Sequence, residues 1–496
     1  MSAVPLIPVG FRLCPDSDLN YLNGGHLLLG GSPYRLLRLG PAGARQVAAW
    51  WRGEPVPSSR PARLLARRLL ETGLAHPAPS GLPAPGPDEV TVVVPVRDRS
   101  SVLARCLAGC TGLRVIVVDD GSADPAAVAA AAARAAAQCL RLPVSVGAGA
   151  ARNAGLAAAR TPYVAFVDSD CVPSPGWLAP LLTHFADPAV AAVAPRIVAG
   201  PNATGADEAG PGGPRSRPAD PSDAGAAAPE RGWLASYERV RSALDMGPAP
   251  SIVRPGARVP YVPAAALVVR RDRAGAGFAA DMPVGEDVDF VWRLADAGWQ
   301  VRYEPAAQVA HAHRIRFAAW FARRMDYGTS AAPLELRHPG RVPAVSMSGW
   351  SALAWLAAVA GHPVCAASLL GGTTALLARR LAPVTTEAWP VALRLSGGGT
   401  VMAGRLLGRA VSRTWWPVAI PAAIALPRLR RPLAALVLAA PLLDWRDQHP
   451  PLDPARYTAA RLLDDLAYSL GVWRGCLTHR TARPLLPRLW WRSGRS

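Results

Sequence analysis

Two aspartates one residue apart, Asp168 and Asp170, follow the apolar stretch YVAFV at residues 163–167. Carboxylate oxygens are the ligands that Mg²⁺ and Mn²⁺ prefer, and two of them can hold one ion that in turn binds a diphosphate. Aspartates also collect at strand ends for local reasons, so the pair alone is weak evidence for a metal site. Its meaning depends on which other residues reach the same place.

Two earlier apolar strands also end in polar residues. VTVVVPV ends at Pro95 and Val96 and is followed by Arg97, and VIVV is followed by Asp119 and Asp120. Ligands of α/β sheets bind beyond the carboxyl ends of the strands, so three such endings predict a ligand site on one sheet edge. Asp119 and Asp120 can accept hydrogen bonds from a base or a ribose.

Four further residues are candidates. In GAGAARNAGLAAAR, Arg152 and Asn153 stand beside small residues that let the backbone approach a ligand, although Arg152 can also be a solvated helix end. Glu286 and Asp287 precede an amphipathic helix, where acids ordinarily cap the helix and complement its dipole. A carboxylate near a sugar hydroxyl can instead act as a general base.

His311 and His313 alternate in VAHAHRIRF and therefore point to one face of a strand-like stretch. They are either an incidental pair, or one of them completes the metal site of Asp168 and Asp170.

Alternating strands and helices from residue 90 position these candidates. Unbroken Val and Ile runs separated by helices predict an α/β domain with a mostly parallel sheet over residues 90–315. Residues 1–77 predict a small winged-helix-like α+β domain, and the Pro-rich residues 78–89 a linker. The low-complexity stretch 199–232 predicts a disordered insertion.

The C-terminal residues 316–496 predict a helical, partly apolar region. Residues 342–378 carry no formal charge but are interrupted by Gly361, His362 and Pro363, and the apolar runs at 414–427 and 432–443 are too short to span a bilayer. Arg clusters flank these runs on both sides, so re-entrant or interface-lying helices on the cytoplasmic leaflet fit better than a single crossing. The alternative is a soluble helical domain with an apolar core. The N-terminus lacks the pattern of a secretory signal.

The net charge of +19 comes from Arg, because the sequence has no Lys. Such a charge suits nucleic acid, anionic lipid or a phosphorylated substrate. A nucleic-acid-binding winged helix remains an alternative, but Arg63, Arg67 and Arg68 are the best basic helix face that the N-terminal domain offers, and we expect no nucleic-acid partner.

Seven cysteines without zinc spacing indicate a reducing compartment.

Five motifs in order, VVVPVRDR, VIVVDDGSAD, AARNAG, YVAFVDSD and GEDVDFVWRLADAGW, resemble those of the inverting family 2 glycosyltransferases of the GT-A fold. The resemblance covers about residues 90–315. It implies a divalent cation, Mg²⁺ or Mn²⁺, and a nucleotide-sugar donor. It implies that Pro95, Arg97 and Asp119 or Asp120 contact the nucleotide and that Arg152 lies near the diphosphate. It further implies that Asp168 and Asp170 bind the metal and that Asp287 is the catalytic base.

The N-terminal GGHLLLGGSPYRLLRLGPAGARQVAAW and LLETGLAHP resemble the leading region of the glycosyltransferases of the mycofactocin system. This resemblance implies transfer of glucose from UDP-glucose, with β-1,4 extension, to the Tyr-derived hydroxyl of a peptide-derived cofactor precursor. It further implies that the N-terminal domain recognises a peptide. The alternative within the same enzyme class is transfer to a polyprenyl phosphate or a cell-envelope glycan.

Overall fold

A computed structural model describes residues 5–79, 81–200, 232–314 and 316–491. The chain forms two compact units, the first comprising Met1–Glu230 with Arg241–Arg314 and the second Arg231–Val240 with Ile315–Ser496. The insertion predicted at residues 199–232 lies outside the described residues, apart from its ends at 199, 200 and 232.

The N-terminal part of the first unit is an α+β domain with its own apolar core. Leucine-rich strands joined by glycine turns form a three-stranded antiparallel sheet, and two further strands pair antiparallel beside it. Phe11, Trp50, Leu69 and Leu70 are almost fully buried in the core. The elements are β1 (Arg12–Pro15), β2 (Asn20–Leu22), β3 (Leu27–Gly30), β4 (Arg35–Arg38), α1 (Pro41–Trp51), α2 (Arg60–Thr72) and β5 (Ala75–Ala78).

The next residues form the first half of a nine-stranded sheet. Four strands lie in the order β8-β7-β6-β9, and all their pairings are parallel, as the sequence predicts. The Val and Ile runs are buried because helices cover them. The elements are β6 (Val90–Val96), α3 (Ser100–Ala108), β7 (Arg114–Asp120), α4 (Pro125–Arg134), β8 (Gln138–Leu142), α5 (Ala148–Ala158) and β9 (Tyr163–Val167).

The second half of the sheet is mixed rather than parallel. β13 runs antiparallel to both of its neighbours, β9 and β11, while β11 and β14 are parallel and β10 and β12 pair antiparallel with β14. The chain enters β13 from a loop and not from a helical crossover, which a parallel connection requires. The elements are β10 (Cys171–Pro173), α6 (Leu178–Thr183), β11 (Val190–Ala199), α7 (Trp233–Arg241), β12 (Ser251–Val253), β13 (Ala266–Arg270), α8 (Glu286–Asp296) and β14 (Gln300–His311).

Helix α7 lies within the range predicted for the catalytic domain, yet it packs in the second unit. Leu234 and Tyr237 are buried against Trp320 and Tyr457. The other elements of this unit are α9 (Phe317–Thr329), α10 (Ala331–Arg337), β15 (Val345–Ser348), α11 (Gly349–Val359), α12 (Pro363–Leu381), α13 (Ala388–Ala410), α14 (Trp416–Ala425), α15 (Arg430–Gln448), α16 (Pro454–Thr478) and β16 (Pro487–Trp490).

The longest apolar run is broken where the sequence predicts. α11 ends at Val359, Gly361 adopts a φ of 86°, and α12 begins at Pro363. Among the described residues, no helix combines the length and the apolar character needed to cross a membrane.

Candidate active site

The carboxyl ends of β6, β7 and β9 meet at one edge of the sheet, because these strands are parallel neighbours. β7 ends with two aspartates whose environments differ. Asp119 is buried, and it accepts a hydrogen bond from the Ser122 backbone N–H at 2.9 Å and pairs with Arg141. Although burial acts in the opposite direction, hydrogen bonds from Ser122 and Arg141 hold the pKa of Asp119 below its ordinary value.

Asp120 holds the loop that precedes α5. Its carboxylate accepts hydrogen bonds from Ser145 Oγ at 2.9 Å, the Val146 backbone N–H at 2.6 Å and the Gly147 backbone N–H at 3.0 Å. Arg97 Nη1 donates to the same Ser145 Oγ at 3.0 Å, while its side chain remains 60% exposed. The structure therefore brings Arg97 and Asp120 together on either side of Ser145, with donor groups left available on Arg97.

Two other predicted nucleotide contacts have different surroundings. Pro95 is buried inside β6, opposite Val118. The Asn153 amide forms two 2.8 Å hydrogen bonds with the backbone of Phe278, one from its Nδ2 to the carbonyl and one to its Oδ1 from the N–H. Asn153 thus fixes the segment ahead of α8 to α5.

Asp168 and Asp170 lie next to β9 as the sequence predicts, and each faces a cation. Arg152 Nη2 donates to Asp168 Oδ1 at 2.6 Å, and Arg99 Nη1 donates to Asp170 Oδ2 at 3.0 Å. Burial and the neighbouring Asp170 charge raise the pKa of Asp168, although Arg152 opposes the shift. Burial acts in the same direction on Asp170, but His311 and Arg99 hold its pKa below the ordinary value.

Pairing of β10 with β14 brings the histidines to this site, because Cys171 lies opposite His311. His311 Nε2 is 3.6 Å from Asp170 Oδ1, and His311 Nδ1 is 3.4 Å from His313 Nδ1. His311 is therefore the histidine beside Asp170, and His313 contacts His311. Among residues 5–79, 81–200, 232–314 and 316–491, no group of three or more His, Cys, Asp or Glu side chains is arranged to hold a metal ion.

The two acids at the start of α8 have different hydrogen-bond partners. Glu286 Oε1 accepts a hydrogen bond from Arg152 Nη1 at 2.7 Å. Asp287 Oδ2 accepts one from the Ala264 backbone N–H at 3.2 Å, and its Oδ1 one from the Val288 N–H at 2.8 Å. Burial and the nearby Glu286 charge raise the pKa of Asp287 to about 6. A carboxyl with such a pKa can exchange a proton near neutral pH.

Arg152 is the centre of the site. It is 4% exposed, its two terminal nitrogens contact Asp168 and Glu286, and its guanidinium lies 5.4 Å from the ring centre of Phe278. The two carboxylates raise its pKa further despite burial, so it stays charged. Arg152 is a buried cation between strand β9 and helix α8, and not a solvated helix end.

Several residues of the site were missed by sequence reasoning. Arg99 stands in the VVVPVRDR ending and Ser145 just before the GAGAARNAG stretch, so their positions carried a weak signal. Arg141 lies in β8, and Ala264 acts through its backbone N–H. A backbone donor leaves no signal in the residue type.

Comparisons with known proteins identify the family of this chain. A model of glycosyl transferase family 2 matches residues 91–219. The chain is 38% identical over 501 residues to the pre-mycofactocin glycosyltransferase of Mycobacterium tuberculosis, in strains CDC 1551 and H37Rv, covering 97% of this chain and 98% of that protein.

Two solved glycosyltransferase structures match this chain at low identity and low TM-score. One is the mannosyltransferase PcManGT from Pyrobaculum calidifontis in complex with GDP-Man and Mn²⁺, at 18% identity and a TM-score of 0.36, covering 80% of this chain and 94% of that one. The other is glucosyl-3-phosphoglycerate synthase from Mycobacterium tuberculosis with Mn²⁺, UDP and glucosyl-3-phosphoglycerate, at 16% identity and a TM-score of 0.31, covering 50% and 79%. On the near full-length identity, the chain belongs to the pre-mycofactocin glycosyltransferases, and it contains a segment that matches glycosyl transferase family 2.

Proposed function

We propose that this glycosyltransferase moves glucose from UDP-glucose to the Tyr-derived hydroxyl of pre-mycofactocin and extends the product through β-1,4 linkages. The observation that carries the mechanism is the contrast between the two acids of α8. Glu286 is committed to an ion pair with Arg152, whereas Asp287 accepts hydrogen bonds from two backbone N–H groups and has a pKa of about 6.

Asp287 is the proposed general base. At neutral pH its carboxylate is mostly ionised, so it can take the proton of the acceptor hydroxyl as the oxygen attacks the anomeric carbon. The new C–O bond forms as the bond from the anomeric carbon to the diphosphate oxygen breaks, and its electron pair leaves with the diphosphate. Attack from the face opposite the leaving group inverts the anomeric configuration.

The proposed donor site lies at the carboxyl ends of β6 and β7. The proposed nucleotide contacts at this edge are Arg97, Asp119 and Asp120. The loop at residues 145–147 holds two of them, because Ser145 and Val146 form hydrogen bonds with Arg97 and Asp120. Pro95 is buried inside β6 at this edge, whereas Asn153 fixes the segment ahead of α8 to α5. Arg152 stays charged between the two carboxylates, and we propose that its charge also attracts the diphosphate.

The residues around Asp168 and Asp170 fit a divalent cation. Two carboxylates with a nearby imidazole supply oxygen and nitrogen donors, and Mg²⁺ is ordinarily bound by one or two carboxylates together with substrate phosphates rather than by a complete protein cage. When bound, the ion would neutralise charge on the departing diphosphate. Asp168 and Asp170 would hold it, with His311 as the imidazole beside Asp170. Arg152 and Arg99 contact the same two carboxylates.

We further propose that the second unit associates with the cytoplasmic face of a membrane. Val364, Leu356, Trp389 and Ile424 are each more than 60% exposed although they lie in helices. We propose that these apolar side chains contact the interfacial region of the bilayer. Arginines at the end of α12, after α14 and at the start of α15 suit anionic lipid; they are Arg379, Arg380, Arg428, Arg430 and Arg431.

Flotation of the purified full chain with vesicles tests this association. We expect binding to vesicles containing anionic lipid, weaker binding at high salt, and loss of binding in a Leu356→Ser/Trp389→Ser/Ile424→Ser variant of unchanged thermal stability. A wild-type protein that stays at the bottom of the gradient with every vesicle would exclude the membrane proposal.

Mass spectrometry of reaction products tests the transfer itself. The wild-type chain is incubated with Mn²⁺, synthetic pre-mycofactocin and UDP-glucose, with UDP-galactose and a polyprenyl phosphate acceptor offered in parallel. We expect successive additions of hexose to pre-mycofactocin from UDP-glucose, and a yield lower on the order of 100-fold or more with Asp287→Asn. Preferential transfer to the polyprenyl phosphate, or full turnover by Asp287→Asn, would overturn the proposal.

A further inference from the structure

One loop connects the N-terminal domain to the candidate active site. It comprises residues 254–265, with the sequence RPGARVPYVPAA, and joins β12 to β13; we name it the connecting loop. Its three prolines fix their own φ angles and restrict the residues before them, so the loop has few conformations available. Val259 and Val262 in its middle are fully buried, which holds it further.

One end of the connecting loop is fastened to the N-terminal domain. Arg258 donates two hydrogen bonds of 3.1 Å to the carboxylate of Asp16 and one of 2.7 Å to Asp18. Its backbone N–H donates to Ser32 Oγ, and Arg254 donates to the Ser32 carbonyl at 2.9 Å. Paired hydrogen bonds between arginine and carboxylate are strong and fix geometry as well as distance.

Asp16 is a firm anchor. It is 4% exposed and also contacts His76 Nε2 at 2.8 Å. Burial alone raises the pKa of Asp16, but hydrogen bonds from His76 and Arg258 hold that pKa well below its ordinary value. The carboxylate is therefore ionised at neutral pH and bound to Arg258.

The other end of the connecting loop holds two groups of the candidate active site. The Ala264 backbone N–H donates to Asp287 Oδ2 at 3.2 Å, and the Ala265 carbonyl accepts a hydrogen bond from the Asp168 backbone N–H at 2.9 Å. Between these ends, the Pro260 carbonyl accepts from Trp292 Nε1 of α8 at 2.8 Å. The adjacent residues Ala264 and Ala265 thus position Asp287, the proposed base, and Asp168.

We propose that Arg258 is a positioning residue for glycosyl transfer: by fastening the connecting loop to Asp16 and Asp18, it sets the places of Asp287 and Asp168. This inference rests on the proposed function, because it takes Asp287 as the base. A small misplacement of a reacting group is costly even when its cause is distant, with losses on the order of 100-fold for about 1 Å. The N-terminal domain then contributes to turnover and not solely to acceptor binding.

The test compares Arg258→Ala and Arg258→Lys with the wild-type full chain, using UDP-glucose and synthetic pre-mycofactocin. We expect Arg258→Ala to lower kcat on the order of 10- to 100-fold while the KM for UDP-glucose changes little. The Ala264 hydrogen bond lowers the pKa of Asp287, so its loss should move the acid limb of the kcat profile to higher pH. The other charged groups that face Asp287, Glu286 and Arg152, lie on α8 and α5 and remain unchanged.

Arg196→Ala is the matched control. It removes a bidentate pair with Asp245 whose arginine side chain is 27% exposed, close to the 30% of Arg258, and we expect unchanged kcat and pH profile. Arg258→Lys keeps the charge without the paired geometry, so partial recovery of kcat is expected, and this variant decides the case if Arg258→Ala does not fold. Wild-type kcat and an unmoved acid limb in the folded variant, with Asp287→Asn inactive, would overturn the positioning role alone. Turnover by Asp287→Asn would instead remove the proposed base.

Discussion

Arg152 Nη1 lies 2.7 Å from Glu286 Oε1, which joins the middle of α5 to the first residue of α8. The two residues are 134 positions apart in the sequence. The other terminal nitrogen of Arg152 contacts Asp168, so one guanidinium fixes the helix that carries Asp287 relative to Asp168 at the end of β9.

Replacing Arg152 should damage both stability and activity. Arg152→Ala leaves the carboxylates of Asp168 and Glu286 without their partner. Breaking a buried ion pair lowers the free energy of unfolding by about 3 kcal/mol at the low end of the usual range, which applies here because Asp168 is partly exposed. We expect a lower free energy of unfolding in urea and no transfer. Arg97→Ala serves as the comparison, because its exposed pair with Asp98 contributes little to stability. Equal unfolding midpoints for the two variants would contradict the central role of Arg152.

The acid limb of activity should report Asp287. A general base works in its ionised form, so kcat should rise with pH and level off above an apparent pKa near 6. Asp287→Asn should lower kcat on the order of 100- to 10,000-fold at pH 7.5. The measurement is kcat against pH at saturating donor and acceptor, and a profile flat from pH 5 to 8 would exclude Asp287 as the titrating base.

The same substitution should not destabilise the fold at neutral pH. Because the folded-state pKa of Asp287 is raised, the folded protein binds the proton more readily than the unfolded chain, and stability falls as pH rises from about 4 to about 6. Asn carries no charge and escapes that loss. We expect the Tm of Asp287→Asn to match or exceed the wild-type value at pH 7.5 and to lose this advantage near pH 4. A lower Tm at pH 7.5 would show that the carboxylate stabilises the site.

Metal removal should stop transfer reversibly. Dialysis against EDTA should abolish transfer, and Mn²⁺ or Mg²⁺ should restore it in the wild type but not in Asp170→Ala. Calorimetric titration of Mn²⁺ into protein with and without UDP gives a readout independent of turnover. Binding should be tighter with UDP, since the described residues offer no cluster of three or more His, Cys, Asp or Glu ligands. Full activity after EDTA treatment would refute the metal requirement.

Gly121 should resist substitution because the backbone of Val144 and Ser145 packs against it. It adopts a φ of 69°, and an added Cβ would lie 2.5 Å from the Ser145 backbone nitrogen. Gly121→Ala should cost about 1–3 kcal/mol of stability and raise the KM for UDP-glucose as Ser145 shifts away from Asp120. Gly112→Ala is the control: its φ of 81° carries similar backbone strain, but no atom lies within 4 Å of the added Cβ. An equal rise in donor KM for both would show that strain alone is responsible.

Local patterns in the sequence were sufficient to predict the strand directions in the first half of the sheet. The Val and Ile runs of β6, β7 and β9 and the helices between them allow one arrangement, a parallel sheet with covered faces. The polar endings at Arg97, Asp120 and Asp168 therefore had to meet on one edge. The break between α11 and α12 was equally local, since Gly361 and Pro363 end and begin helices by their own backbone preferences.

Strand directions in the second half of the sheet could not be predicted from local patterns. β13 is an apolar run like the others, and its composition does not record its direction, which depends on the path of the connecting loop. Helix α7 follows the chain of the first unit but packs in the second, because its apolar face fits Trp320 and Tyr457.

The sequence by itself determined the family's ordered motifs, the parallel half of the sheet and the residue types that the chemistry requires. Only the tertiary structure decided how those residues are paired: Glu286 with Arg152, Asp287 with the Ala264 backbone, and His311 beside Asp170. The reason is physical. Strand and helix periods, turns and caps arise from interactions between near neighbours, whereas an ion pair or a backbone hydrogen bond across 134 or 23 positions forms only once packing has brought the two segments together.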